Sequence, residues 1–469
     1  MNTKKLNKSL GMRLVVVVVI GNIIGSGVYK KVAPMAATLH SSGWVLVCWL
    51  LGGIITLFGA LSNAEVAGLL ADTGGEYAYY KKIYNRFFAF MFGWSLFTVI
   101  QTAAVSSLAY VFAQSLDSIL HLPAVLPCLS GVNVGGFLEP FANLNVKLTA
   151  IALIIVLSWL NTLGIRTGAG VSTGILLLVF GGIAIIVVAG ISSGQGHLST
   201  AIDFHTTDHN PVTISAIFTA MLSAFWAYQG WASIGFVGGE IQDARRVIPR
   251  GIVTGVCIII ALYLAVNSIY LSILSIPTLE HIYQSGNQIA AIEAVKMFWG
   301  TGGGVFISVL ILITTLGCTN ATILSSSRPT YAMAREGMFF KKAARLNNAH
   351  VPGNSLWMHC AWSCLLVLSG SFDQLTDMVI FAVFIYYGAT TLGVFILRIK
   401  MPDANRPYKV WGYPFVPAIV VIFCAGLLFN TIFTKPREAL IGTILMLTGV
   451  PFYFWFRKSH AQQNHSDVD

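Results

Sequence analysis

The chain of 469 residues is 56% hydrophobic and only 10% charged, with a formal net charge of +10 at pH 7. An ordinary soluble domain carries about 25% charged residues, so this composition excludes one and makes lipid the expected solvent. The positive charge does not indicate nucleic acid: the basic residues are spread over short joints between apolar runs, as topology and anionic headgroups require.

About 20 mostly apolar residues cross a hydrocarbon core as a helix. Runs of that kind predict twelve spans, at residues 13–39, 43–70, 87–120, 148–163, 171–191, 212–238, 251–276, 304–334, 356–370, 375–397, 413–433 and 440–456. The expected fold is all-α and polytopic. No small-residue cleavage site follows the first run, so it is read as an uncleaved span. An even number of spans puts both ends on one side. Alternate joints, from Lys4 and Lys5 to Arg457 and Lys458, hold 21 of the 28 Lys and Arg, and such residues stay preferentially cytoplasmic. Both tails, 1–12 and 457–469, are therefore expected in the cytoplasm of a multi-pass cell-membrane protein. Six of the seven cysteines fall in spans and only Cys128 in an external joint, so no disulfide framework is expected.

Two spans carry an interruption near the middle. In the first it is Gly21-Asn22-Ile23-Ile24-Gly25-Ser26-Gly27, where three glycines in seven residues each lower helix propensity by about 1 kcal/mol relative to alanine. In the sixth it is Phe225-Trp226-Ala227-Tyr228-Gln229-Gly230-Trp231. Spans one to five (13–191) and six to ten (212–397) would then be two repeats of opposite orientation, each opening on a broken helix, with 413–456 added as two further helices. Inverted repeats with broken first helices mark transporter binding sites. From Gly27 to Leu39 the chain rises about 18 Å, against about 15 Å for half a hydrocarbon core, so the break lies at the midplane. The competing reading of Gly21 and Gly25 is close helix packing at a small-xxx-small contact.

Broken helices supply both halves of a zwitterion site from backbone. Free amides of Gly25, Ser26 and Gly27 would open a half-helix whose dipole is worth roughly half a positive charge and would take a carboxylate, with the Ser26 hydroxyl as a further donor. Free carbonyls of Ile23, Trp226, Ala227 and Gln229 would take an ammonium.

At these residues the chain resembles the amino acid-polyamine-organocation superfamily, most closely its L-type amino acid transporter subfamily. The resemblance covers nearly the whole chain. It rests on Ile23 to Gly27, Trp226 to Trp231, Gly239-Glu240 with Ile248-Pro249-Arg250, Ser327-Arg328 with Ala334-Arg335-Glu336-Gly337, and Arg406-Pro407 with Gly412-Tyr413-Pro414. It implies twelve helices in a LeuT-type 5+5 inverted repeat, alternating access, and Trp226 as an aromatic lid over an amino acid substrate. It also implies sodium-independent exchange, with proton- or sodium-coupled symport as the alternative. Gln229 stands where relatives that accept cationic amino acids carry an acidic residue, so neutral substrates are expected. Sodium-independent relatives often carry a lysine in span five, where this chain has Val179, which leaves the coupling ion open.

Several residues are candidates for charge or coupling. Lys30 and Lys31 lie too deep in span one to be interfacial, and an intramembrane lysine is a functional candidate by default. They are read as lining an external vestibule or replacing the span-five charge, with snorkelling to the headgroups as the structural alternative. Glu65 and Glu240 are candidate proton carriers, set against pairing with a neighbour such as Arg328 or capping of a helix end. Hydroxyls at Thr314, Thr315, Thr319 and Ser325 to Ser327, with the Asn63 amide, bear on a sodium site or on interhelical hydrogen bonds.

No cofactor, metal site or enzymatic constellation is expected, since His359 is the only histidine well inside a span, and no nucleotide-binding motif is present. A membrane sensor would keep the same pocket, but the long cytoplasmic tail common to sensors is missing. An accessory subunit is compatible with this reading, though no residue argues for one.

Overall fold

The computed structural model describes residues 11–70, 75–132, 139–164, 169–232 and 243–466. All the regular elements among them are helical: α1 (Met12–Ile23), α2 (Gly27–Lys30), α3 (Val32–Leu39), α4 (Ser42–Leu70), α5 (Glu76–Ile83), α6 (Arg86–Leu120), α7 (Leu144–Thr162), α8 (Ala169–Ser192) and α9 (Leu198–Ala201) come first. They are followed by α10 (Ile214–Tyr228), α11 (Ala244–Ile273), α12 (Ile276–Ser285), α13 (Ala290–Arg335), α14 (Gly353–Ser369), α15 (Phe372–Lys400), α16 (Phe415–Thr434), α17 (Pro436–Leu447) and α18 (Gly449–Ser466).

Eight helices among the described residues are long and apolar enough to cross a bilayer, and Val15–Lys30 with Val32–Leu39, bent by 52°, makes a ninth crossing. The other three expected spans overlap α8, α10 and α14, which fall short of that length and hydropathy among the described residues. The last two are only 15 and 17 residues long. Span six was expected to run to 238, but its helix stops at Tyr228, and residues 233–242, including Glu240, lie outside the described residues. Span eight begins earlier than expected, at Ala290, and kinks at Gly300, whose φ of 62° leaves the helical region. Besides the single turn of α9, two helices between spans escaped the hydropathy pattern because each is amphipathic or polar. These are α5, and α12, which starts under a Ser275 side chain accepting from the Thr278 amide.

Apolar side chains of α7, α8 and α16, such as Trp159, Leu177, Val188 and Phe429, point outward, while Gln114, Asn267, Thr376 and Asp377 are buried inside. This arrangement is the one lipid favours. The helices meet closely where side chains are small. A Cβ on Gly251 or Gly255 of α11 would sit 2.4 Å or 2.7 Å from a methyl carbon of Val15 or Val19, so α11 lies directly along α1.

Candidate functional site

The first break is short and exposes backbone. Helix α1 ends at Ile23; Ile24 is extended (φ −70°, ψ 100°), and α2 restarts from Ser26. The second break follows Tyr228: Gln229 is extended (φ −70°, ψ 153°), and Gly230 has a φ of 119°. The breaks touch each other. A Cβ on Gly27 would lie 2.5 Å from the Ala227 Cα, and one on Gly230 would lie 2.2 Å from the Asn22 carbonyl oxygen, so only glycine fits at either point. Gly21, by contrast, would meet nothing within 4 Å, which removes the close-packing explanation there.

The breaks open onto a cavity of about 650 Å³ lined by both segments and by Gln101, Cys318, Thr322 and Ser325. Gly25, Ser26, Gly27, Ile23, Trp226 and Gln229 all line it. Ala227 is buried against Gly27 just behind them. The amides of Gly25, Ser26 and Gly27 donate to no backbone carbonyl among the described residues, and a helix N-terminus with free amides is a ready anion site. Trp226 Nε1 donates to Ser26 Oγ at 3.1 Å, so the Ser26 hydroxyl accepts from the indole and keeps its own proton for a ligand.

Behind Trp226 the protein is closed by a layered barrier. The Phe372 ring stands edge-on to Trp226, with centroids 6.0 Å apart. The ammonium groups of Lys30 and Lys31 lie 4.9 Å and 4.7 Å from the Phe372 centroid, within cation–π range. Lys30 Nζ donates to Gln114 Oε1 at 2.6 Å, and Gln114 Nε2 donates to the Gly286 carbonyl at 3.0 Å. Lys31 Nζ donates to Asp373 Oδ1 and Thr376 Oγ1, each at 2.6 Å, with Asp377 at 3.9 Å. Both lysines are thus buried and paired toward α6 and α15. They do not snorkel, and they do not point at the span-five helix that carries Val179.

The carbonyl set differs from the expectation. The Tyr263 hydroxyl donates to both the Ile23 carbonyl (3.2 Å) and the Ala227 carbonyl (3.0 Å), and the Trp226 carbonyl accepts from the Gln229 amide at 3.4 Å. Cys318 Sγ donates to the Ile24 carbonyl at 2.9 Å. A carbonyl has two lone pairs, so each keeps one acceptor position. Glu65 also differs: its partner is not Arg328. Arg398 grips it with two hydrogen bonds of 2.9 Å and 2.7 Å, Arg406 lies at 3.4 Å, and the Val410 amide donates at 2.7 Å. This carboxylate clamps the joint after α15 to α4, far from the cavity lining. The hydroxyls of Thr314, Thr315 and Thr319 donate to carbonyls four residues back on α13, those of Ser326 and Ser327 to carbonyls three back, and Asn63 donates to Glu76 at 3.3 Å. Tyr263, Cys318 and Glu76 carried no motif; Gln101, a lone amide in a long apolar run, was the one missed lining residue with a readable signal.

Comparison with known proteins identifies the family. The sequence profile of the amino acid permease family matches residues 10–455. The chain is 30% identical to the serine/threonine exchanger SteT of Bacillus subtilis over 97% of this chain and 98% of that protein. It is 28% identical to the human Asc-type amino acid transporter 1, over 96% and 82% of the two chains. It is 25% identical to the human b(0,+)-type amino acid transporter 1, over 97% and 89%. The chain is a multi-pass membrane protein that belongs to the amino acid permease family of the amino acid-polyamine-organocation superfamily.

Proposed function

We propose that this protein exchanges neutral amino acids across the cell membrane by alternating access, without a sodium requirement. One observation carries the reading: unsatisfied amides of Gly25, Ser26 and Gly27 face a cavity beneath Trp226, beside the carbonyl ends of α1 and α10. The amides take the substrate carboxylate and the Ser26 hydroxyl adds a donor. The remaining acceptor positions at Ile23, Trp226, Ala227 and Gln229 take the ammonium, and Trp226 covers the pair. The Gln229 amide can hydrogen-bond a side chain but offers no charge to a cationic one. Similarity to a serine/threonine exchanger supports small neutral substrates and exchange.

The layout that fits is twelve spans, with repeats at 13–191 and 212–397, two added helices at 413–456, and both ends in the cytoplasm. In that frame the cavity, lined by Asn22, Thr322 and Ser325, faces the cytoplasm, and the Lys30, Lys31 and Phe372 layer is the closed outer barrier. The test is uptake of labelled serine into proteoliposomes, with and without unlabelled amino acid inside, under sodium gradients, proton gradients and none. Stimulation by internal substrate alone is the expected result. Uptake that follows an ion gradient would establish a symporter instead, and binding without uptake would establish a sensor.

A further inference from the structure

A second cavity, of about 400 Å³, lies against the first and shares Gln101, Gln229 and Gly230 with it. Glu76 lines it. This residue opens α5, between the second and third spans, yet it is only 6% exposed. The groups facing it among the described residues are neutral. From α4 the Asn63 amide donates to its carboxyl at 3.3 Å. From α15 the Thr390 hydroxyl hydrogen-bonds it, and the Tyr387 ring lines the same cavity. From α6 come Phe92, Leu96 and Ile100. On its own helix, the Tyr80 hydroxyl is engaged with the Tyr386 carbonyl and Thr390, and the first cation along the helix, Lys81, pairs with Glu336. A buried carboxyl whose neighbours are neutral, opening onto a ligand cavity, has the makings of a protonation site.

We propose that Glu76 is a proton-binding site of the transport cycle, reached through the cavity beside Gln229, and that the inner cavity closes only while this carboxyl is neutral. The reason is solvation. Closing the cavity removes the water that an ionised carboxylate needs, and among the described residues no cation is paired with it to replace that water. Burial holds the carboxyl up at about 7, against hydrogen bonds from Thr390 and Asn63 that pull it down. Both half-cycles of an exchanger pass through the same closed state, so the proton sets the rate of exchange without driving net uptake.

Two measurements test this. The first, which needs no transport, is the pH-difference infrared spectrum of the purified protein. A protonated-carboxyl band should disappear as pH rises through neutrality and should be missing from Glu76→Gln. The second rests on the exchange reading above: serine exchange in proteoliposomes should fall by up to about tenfold for each pH unit above the midpoint. Glu76→Gln should flatten that profile, and Glu76→Asp should retain one with a shifted midpoint. Absence of the band from the native protein overturns the proposal, as does a Glu76→Gln profile that follows the native one. A band without any serine exchange would overturn the exchange reading and leave Glu76 a titrating site with no transport step to control.

Discussion

Lys31 Nζ lies 2.6 Å from Asp373 Oδ1, and the Lys31 side chain is wholly removed from solvent. Lys31 directly follows α2, the half-helix whose first amides take the carboxylate in the proposed reading, while Asp373 is in the first turn of α15. In the proposed cycle, substrate enters from that face once α2 and α3 swing away from α15 and break the pair. Removing one partner of a buried ion pair costs about 3–5 kcal/mol. Lys31→Met is therefore expected to shift the protein toward the conformation open on that face. The reporter is a cysteine at Ala104 in the cavity lining, with the native cysteines replaced and an impermeant thiol reagent applied from the face opposite the chain ends. Labelling should accelerate by tenfold or more, and an unchanged rate would count against the barrier. A Lys31→Met, Asp373→Leu double variant should regain the thermal stability lost by the single one.

Gly27 and Gly230 hold the two breaks in contact, so their replacement is expected to be far worse than that of a glycine with room. Gly27→Ala drives a methyl into Ala227, and Gly230→Ala drives one into the Asn22 carbonyl while also straining a φ of 119°. Overpacking of this kind costs about 1–3 kcal/mol, so serine exchange should drop by roughly tenfold or more in each. Gly21→Ala, with nothing within 4 Å of its Cβ, should exchange near the native rate. Similar losses at all three positions would mean that helix propensity, and not contact between the breaks, governs this segment.

How much of this was legible in the sequence depended on distance along the chain. The glycines at 25 and 27 and the Gln229-Gly230 pair announced the breaks, because propensity acts within a few residues. The depth of Lys30 and Lys31 in span one was legible too, from helical rise alone. Their partners were not: Gln114, Asp373 and Phe372 reach them from α6 and α15, more than 80 residues away, and no local pattern encodes such a meeting. Glu65 shows the same limit. Its charge demanded a basic partner, but the choice of Arg398 over Arg328 was made by packing. Tyr263 was hidden for another reason, since one tyrosine in an apolar run reads as lipid-facing until its hydroxyl is seen between two broken ends.

Gln229 tests the assignment to neutral substrates. Its side chain lies at the junction of the two cavities, the second of which Glu76 also lines. Gln229→Asp places a carboxylate where the amide now stands, and a carboxylate attracts a guanidinium that an amide can only hydrogen-bond. Labelled arginine should enter proteoliposomes carrying Gln229→Asp and not those carrying the native protein, with serine exchange reduced. Continued exclusion of arginine would show that cavity shape, not charge, selects the substrate.

Tyr263 ties the two broken helix ends to each other. Its hydroxyl serves the Ile23 and Ala227 carbonyls together, so it does for the two broken ends part of what a bound ammonium would do. Tyr263→Phe leaves both carbonyls short of a donor in a buried place, at a cost of about 1–3 kcal/mol. That loss falls most heavily on the protein without substrate, because a bound amino acid brings its own N–H donors to the same carbonyls. The melting temperature of the substrate-free variant should therefore fall by several degrees, while the increase produced by saturating serine should become larger than in the native protein. An equal fall with and without serine would mean that the ammonium is held elsewhere, and would direct attention to the Ile24 carbonyl and Cys318 instead.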